Sequence, residues 1–141
     1  MIRFQNKKSL QTRGEFNVKI YFNDKEVGSA VYQIIDNILQ LKWIEINEHE
    51  QGKGYGFAAL DHIANMAIAE HVDFVIDAIN DDLLNNFYYK WFRIWGEFKG
   101  ADDEQIMEVF ERSIIEDHNP KIVLKREELM FDESIAQVIS P

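Results

Sequence analysis

The sequence predicts an α/β (α+β) fold with a mixed, mainly antiparallel central sheet and flanking helices. Three observations predict it. Apolar and polar residues alternate through residues 16–46, as in half-buried strands. From residue 54 apolar residues recur instead at helical spacing, and a short apolar run at 74–79 interrupts them. The 141 residues contain no repeat or linker, which predicts one domain, 1–141, with a flexible tail at 130–141.

A meander of antiparallel strands comes first. The alternation over 16–22 predicts a strand, residues 23–26 predict a turn, and 27–35 predict the returning strand. The Asp-Asn pair at 36–37 predicts a second tight turn before a third strand at 38–46.

The third strand contains an irregularity. Leu39, Leu41 and Trp43 share one phase of the alternation, whereas Ile44 and Ile46 occupy the other. Because side chains alternate strictly along a strand, this shift indicates either a β-bulge near residues 43–44 or a strand buried on both faces. A bulge would separate this strand from its next neighbour and open a slot.

A helix and a buried parallel strand follow. Helical spacing predicts a helix over 54–70, and the apolar run at 74–79 predicts a short strand. Strand, helix and strand over 38–79 then form a right-handed βαβ unit beside the meander.

Two helices and a final strand complete the chain. The first helix is capped by Asp81 or Asp82, and its apolar stripe comprises Leu84, Phe87, Tyr88, Trp91 and Trp95. The second helix, over 102–116, carries Ile106, Met107, Phe110 and Ile114. Residues 121–126 predict the last strand.

Composition excludes several classes of function. There are no cysteines, which excludes disulfides, thiolate metal sites and a catalytic thiol. The net charge of −10 argues against nucleic acid as a partner. No apolar run approaches the roughly 20 residues that cross a bilayer, and the basic N-terminus lacks the apolar core of a secretory signal. We therefore expect a soluble, cytoplasmic protein without a membrane partner.

A glycine-rich loop separates the third strand from the first helix. Its residues are Gln51, Gly52, Lys53, Gly54, Tyr55 and Gly56. Glycines let the backbone turn sharply and approach a ligand closely. The first amides of the helix lack intrahelical acceptors and lie at the positive end of its dipole, so the loop is a candidate anion site to which Lys53 adds a charge. The alternative is that the glycines serve only the turn.

Neither common nucleotide motif fits this loop. It lacks the Ser or Thr of a Walker loop, and glycines at 52, 54 and 56 do not match Gly-x-Gly-x-x-Gly. Gln51-x-x-Gly54-x-Gly56 resembles instead the Arg/Gln-x-x-Gly-x-Gly/Ala signature of the GCN5-related N-acetyltransferase (GNAT) superfamily, over roughly residues 38–98. The resemblance is to a compact or N-terminally reduced member. It implies that residues 51–56 hold the pyrophosphate of acetyl-CoA and that the bulged strand, at Ile44 and Ile46, binds the pantetheine arm.

The resemblance implies further site residues downstream. The family carries an Asn, an alkyl residue and a Tyr after the next strand, then Gly-Phe; Asn80, Leu84, Tyr88 and residues 96–98 correspond to these. Asn80 would contact the pantetheine arm, and Tyr88 would protonate the departing thiolate, as a phenol can. The Asn-to-Tyr spacing is one residue longer than in the family, and Tyr89 is a rival. The alternatives are a helix cap for Asn80 and a core aromatic for Tyr88.

A general base for the acceptor amine is less well defined. Glu45 on the bulged strand is the candidate, because burial could raise its pKa into a useful range. Glu48, His49 and Glu50 in the exit loop are rivals.

The resemblance implies an N-acyltransferase that moves an acetyl group from acetyl-CoA to an amine by direct attack, without a metal. The amine could belong to a small molecule or a protein. Family members begin with a strand and two helices that wall the acceptor pocket, and about fifteen residues before the first predicted strand are too few for these. The acceptor side must then be open, or be built by the helix at 102–116 or by a second subunit of a homodimer. The alternative function is a non-catalytic CoA-binding or protein-interaction module, with an exposed face formed by Phe87, Trp91 and Trp95.

Overall fold

The computed structural model describes residues 1–77, 84–116 and 121–126. Six strands form one sheet in sequential order. The strands are β1 (Ile2–Lys8), β2 (Glu15–Phe22), β3 (Lys25–Ile35), β4 (Ile38–Ile46), β5 (Asp73–Asp77) and β6 (Lys121–Leu124). The helices are α1 (Tyr55–Glu70), α2 (Tyr89–Phe98) and α3 (Asp103–Glu116). Neighbouring strands are antiparallel except for the parallel pair β4 and β5, so the predicted fold class is confirmed.

The predicted meander and the βαβ unit of β4, α1 and β5 are confirmed, whereas β1 was missed. Its residues pair with β2 from Ile2 opposite Phe22 to Lys8 opposite Phe16. The alternation ends after Phe4, since Gln5 to Lys8 are all polar. Pairing with β2, rather than the local pattern, therefore determines this edge strand.

The two faces of the sheet differ in what covers them. We call one the helix face, because its side chains are buried beneath the helices. Its fully buried residues are Val18, Ile20, Ala30, Tyr32, Leu39, Leu41, Phe74, Ile76, Ile122 and Leu124. Burying each large apolar side chain contributes about 1.5–3 kcal/mol. We call the other the open face, where Lys7, Asn17, Lys19, Trp43 and Glu45 are exposed.

The aromatic stripe after β5 belongs to the core. A π-helical turn, Leu84–Tyr88, continues directly into α2. Trp91 and Trp95 are buried, and Trp91 packs edge-on against Phe74 while its Nε1 donates to Asp61 at 2.8 Å. The prediction that these tryptophans form an exposed interaction face is therefore wrong: the stripe is the side of the helix that contacts the sheet.

The helix α3 packs against β6 and α2. Ile106 and Phe110 are buried as predicted, but Met107 is exposed and Val109 occupies the core instead. The caps Asp81 and Asp82 and the tail at 130–141 lie outside the described residues, so their predictions stay untested.

Candidate functional site

The bulge predicted in β4 is present, one residue before the predicted position. Tyr32 of β3 pairs with Leu41 and the preceding Val31 pairs with Trp43, so Lys42 is the extra residue. This insertion explains the phase shift, because it returns Ile44 to the helix face that Leu41 occupies. The ladder between β4 and β5 also ends here, with Leu41 opposite Ile76 as its last pair. Within the described residues, which on β5 end at Asp77, β4 has no β5 partner beyond Leu41, and its backbone edge there borders a slot.

The loop after β4 turns the chain into α1 through two left-handed glycines. Gly52 and Gly54 have φ values of +80° and +86°, which glycine adopts without strain. Gly54 is the N-cap of α1, and the Ala58 amide donates to its carbonyl at 3.1 Å to close the first turn. The amides of residues 55–57 precede that bond and are left for a ligand.

Three charged side chains converge beside this loop. Glu50 is 8% exposed, and its two carboxylate oxygens accept from Lys25 Nζ at 2.8 Å and from Lys53 Nζ at 3.0 Å. The hydrogen bonds from Lys25 and Lys53 lower the pKa of Glu50, and the bond to Glu50 raises the pKa of Lys53. The triad of two cations and one anion therefore carries one net positive charge next to the free amides. The sequence pattern did not reveal Lys25, which is distant in sequence and carries no motif.

Gln51 fixes the start of the loop. Its side-chain Nε2 donates to the carbonyl of Ile46 at 3.1 Å, which ties the loop back to the end of β4. Gln51, the first residue of the motif, therefore stabilises the shape of the loop.

A cavity of about 500 Å³ lies between the end of β4, the loop and the start of α1. It is lined by Ile44, Ile46, Glu50, Gln51, Gly52, Gly54, Tyr55, Gly56, Phe57 and Phe87. Its wall is mainly apolar, whereas its loop end carries the amides of residues 55–57 and Glu50, whose carboxylate accepts from Lys25 and Lys53. This arrangement fits a ligand with a long, weakly polar arm and an anionic end, as a pantetheine arm and a pyrophosphate are.

Phe87 is a site residue that the sequence pattern placed only on an apolar stripe. A Cβ on Gly56 would lie 2.7 Å from the Phe87 ring, so the last glycine of the motif permits this close packing. The Phe87 ring also lies 5.4 Å from the Phe57 ring, and together they form the far wall of the cavity. Gly56 in the motif was a signal of close packing at this position, but the sequence did not show that Phe87 is the residue that packs there.

The remaining predicted residues are placed differently. Tyr88 is 4% exposed and packs edge-on against Phe87, one ring behind the cavity wall. The packing favours the alternative of a core aromatic, and the acid role stays a prediction. Glu45 is exposed on the open face, so the burial suggested for a general base there is absent. Asn80 lies outside the described residues.

Neither a metal-binding cluster nor a membrane-spanning helix is found in the described part of the chain. Within it no group of three or more His, Cys, Asp or Glu is placed to hold a metal ion. Across these same residues, helices are too short or too polar to cross a bilayer.

No protein-family model and no curated protein matches this sequence. Solved structures do match its fold. A GNAT family acetyltransferase from Elizabethkingia anophelis with acetyl-CoA bound superposes with a TM-score of 0.55 at 15% identity, over 64% of this chain and 74% of that chain. The ribosomal-protein-S18-alanine N-acetyltransferase from Escherichia coli gives 0.53 at 16%, over 62% and 75%.

Tetrahymena GCN5 matches with a TM-score of 0.50 at 15% identity over 57% of this chain. The match spans 51% of that protein, about half its length. These superpositions, at 15–16% identity, show a shared architecture: the chain has the GNAT acyl-CoA N-acyltransferase fold.

Proposed function

We propose that this chain is an acyl-CoA-dependent N-acyltransferase that transfers an acetyl group from acetyl-CoA to an amine. The slot is the observation that carries this proposal. Among the described residues β4 has no β5 partner after Leu41, and the cavity beside that edge ends at the amides of residues 55–57 and at Glu50, which pairs with Lys25 and Lys53. The acetyltransferases that share the fold support the same activity.

Each part of the site has a role in this proposal. The amides of the loop and of residues 55–57 bind the pyrophosphate, and Lys53 adds its charge. Ile44 and Ile46 pack against the pantetheine arm while the unpaired β4 amides polarise the thioester carbonyl. Acetyl-CoA supplies the activated acetyl group when it is bound. The slot holds the carbonyl where a neutral amine can attack directly: the C–N bond that forms replaces the C–S bond that breaks, and the proton lost by the attacking nitrogen is taken up by the departing thiolate to give free CoA.

The acceptor enters from the open face in this proposal. The residues from Ser9 to Gly14 that join β1 to β2 are too few for the two helices that the resemblance implies there. The helix α3 packs against β6 and α2, so it does not build an acceptor wall over β1–β4. The acceptor can therefore be a small amine or an amine of a protein, and a homodimer stays a prediction.

Binding of acetyl-CoA is the first test. A ligand that binds only the native state stabilises it, by about 2.7 kcal/mol at 100 times its Kd, so the melting temperature should rise with acetyl-CoA. Gly54→Ala puts a side chain at φ +86° in the loop and should lower affinity at least about tenfold. Gly100→Ala imposes the same strain at φ +92°, after α2, and should leave affinity unchanged.

Two results would contradict the binding proposal. One is a folded protein whose melting temperature does not change at millimolar acetyl-CoA. The other is stabilisation by inorganic pyrophosphate equal to that by acetyl-CoA at the same ligand concentration, since the slot would then add nothing to the affinity.

A non-catalytic CoA-binding module is the second candidate function, and the burial of Tyr88 favours it. Release of free CoA thiol, measured across a panel of amines and peptides, separates the two functions. Thiol release that depends on the amine supports the enzyme. Tight CoA binding without release for any amine supports the module.

A further inference from the structure

A second groove, of about 500 Å³, crosses the open face of the sheet. It is lined by Lys7, Lys8, Ser9, Leu10, Gln11, Asn17, Val18, Lys19, Ser29, Ala30 and Trp43. Three of these are lysines and none is Asp or Glu, although the whole chain has 25 acidic and 15 basic residues. The groove is thus a basic surface on an acidic protein.

The strand register places one end of this groove at the slot. Lys7 pairs with Asn17, Asn17 with Val31, and Val31 with Trp43, so one row of residues crosses from β1 to β4. Trp43 follows the bulge residue directly, on the part of β4 that has no β5 partner among the residues the structure describes. The groove therefore reaches the slot from the face opposite to Ile44.

The charges along this row have a direction. Glu45, two residues after Trp43 on the open face, is exposed near the slot. At the far end Lys7 and Lys8 are exposed, and no ion pair to either occurs among the described residues. Lys19 forms an ion pair with Glu26, with its Nζ 3.4 Å from a carboxylate oxygen. A ligand with an ammonium at the slot and carboxylates farther away would match this order.

We propose that this groove binds acidic peptides whose amine is the acceptor at the slot. This inference rests on the proposed N-acyltransferase function. Strands about 4.8 Å apart put β1 about 14 Å from β4, which an extended peptide spans in about four residues. The carboxylates that contact Lys7 thus lie about three to five residues from the reacting amine. The side chain of Trp43, 41% exposed, provides an apolar contact for the residues between them.

A matched pair of peptides tests the groove without turnover. One six-residue peptide has a free N-terminal amine and aspartates at positions three to five, and the other has asparagines there. Titration calorimetry into protein saturated with unacylated CoA should show the acidic peptide binding about tenfold more tightly at low salt. The difference should shrink as salt screens the exposed lysines.

Charge reversal identifies the surface. Lys7→Glu should remove most of the preference for the acidic peptide and change the affinity for the asparagine peptide less than about twofold. Lys90→Glu makes the same charge change at an exposed position of α2 and should preserve the preference. Equal affinities for the two peptides, or equal effects of the two reversals, would overturn the proposal.

Acetyl-CoA titrations separate this proposal from the one on which it rests. A chain that binds acetyl-CoA but shows no peptide preference keeps the proposed function and loses the acidic acceptor. A chain that binds the acidic peptide and does not bind acetyl-CoA loses both the transferase function and the acceptor role of the groove.

Discussion

The proposed cofactor side and the proposed acceptor side of this sheet are built in different ways. On the helix face, the slot and the anion loop come mainly from one continuous segment, residues 42–57, and use backbone amides, glycines and two isoleucines. On the open face, the groove takes exposed side chains from β1, β2, β3 and β4. A site made of backbone depends on the shape of the chain, whereas a site of exposed side chains can change without affecting the core. Structures of 15–16% identity therefore share the fold, while the acceptor must be inferred from this chain alone.

Because Lys42 is an extra residue, Leu41 and Ile44 lie on the same face of β4 although they are three residues apart. Deleting Lys42 would make β4 a regular strand that keeps Ile44 and Ile46 on the helix face and Trp43 on the open face, because Leu41 and Trp43 would then be consecutive residues on opposite faces. We expect the free energy of unfolding, measured by urea denaturation, to change by about 1 kcal/mol or less, while the affinity for acetyl-CoA falls at least about tenfold because the irregular edge of β4 at the slot is lost.

The control is Lys42→Ala, which keeps the bulge and removes only the ion pair from Lys42 to Glu15 at 2.8 Å. It should cost about 1 kcal/mol or less. If the deletion lowered the affinity for acetyl-CoA no more than Lys42→Ala does, the bulge would not shape the slot.

Glu50→Gln tests the charged triad of Glu50, Lys25 and Lys53. Its expected effect is smaller than that of deleting Lys42. The folded-state pKa of Glu50 is lowered from 4.5 by its hydrogen bonds to Lys25 and Lys53. Its contribution is therefore present above pH 4.5 and is lost as the pH falls through the folded pKa. The variant should melt below the wild type at pH 7, and the two melting curves should converge on acidification. A difference that stays constant from pH 7 to pH 3 would contradict this role.

Tyr88→Phe should have the smallest effect, because it keeps a ring that packs in the core. The acid role implied by the family resemblance predicts that turnover falls by about a hundredfold or more. The burial of Tyr88 behind Phe87 leads us to expect a decrease of less than about threefold, with Tyr89→Phe as the matched control. A hundredfold slower turnover at unchanged KM, confined to Tyr88→Phe, would show that the phenol reaches the reaction.

Local patterns predicted most of the fold, and their failures have physical causes. The meander, the bulge and α1 follow from periods of two and 3.6 residues, which adjacent residues carry. The strand β1 was missed because its pairing with β2 overrides a polar sequence. Trp91 and Trp95 were assigned to an exposed face because periodicity identifies an apolar stripe without showing what covers it.

The site divides in the same way. The sequence by itself predicts the candidate anion loop, since glycines at 52, 54 and 56 and the start of a helix are contiguous and act through the backbone. Only the tertiary structure decided that Lys25 and Lys53 share Glu50, that Phe87 covers Gly56, and that lysines of two strands meet Trp43 in one groove. These contacts join residues up to several strands apart, and only strand pairing and helix packing bring them together.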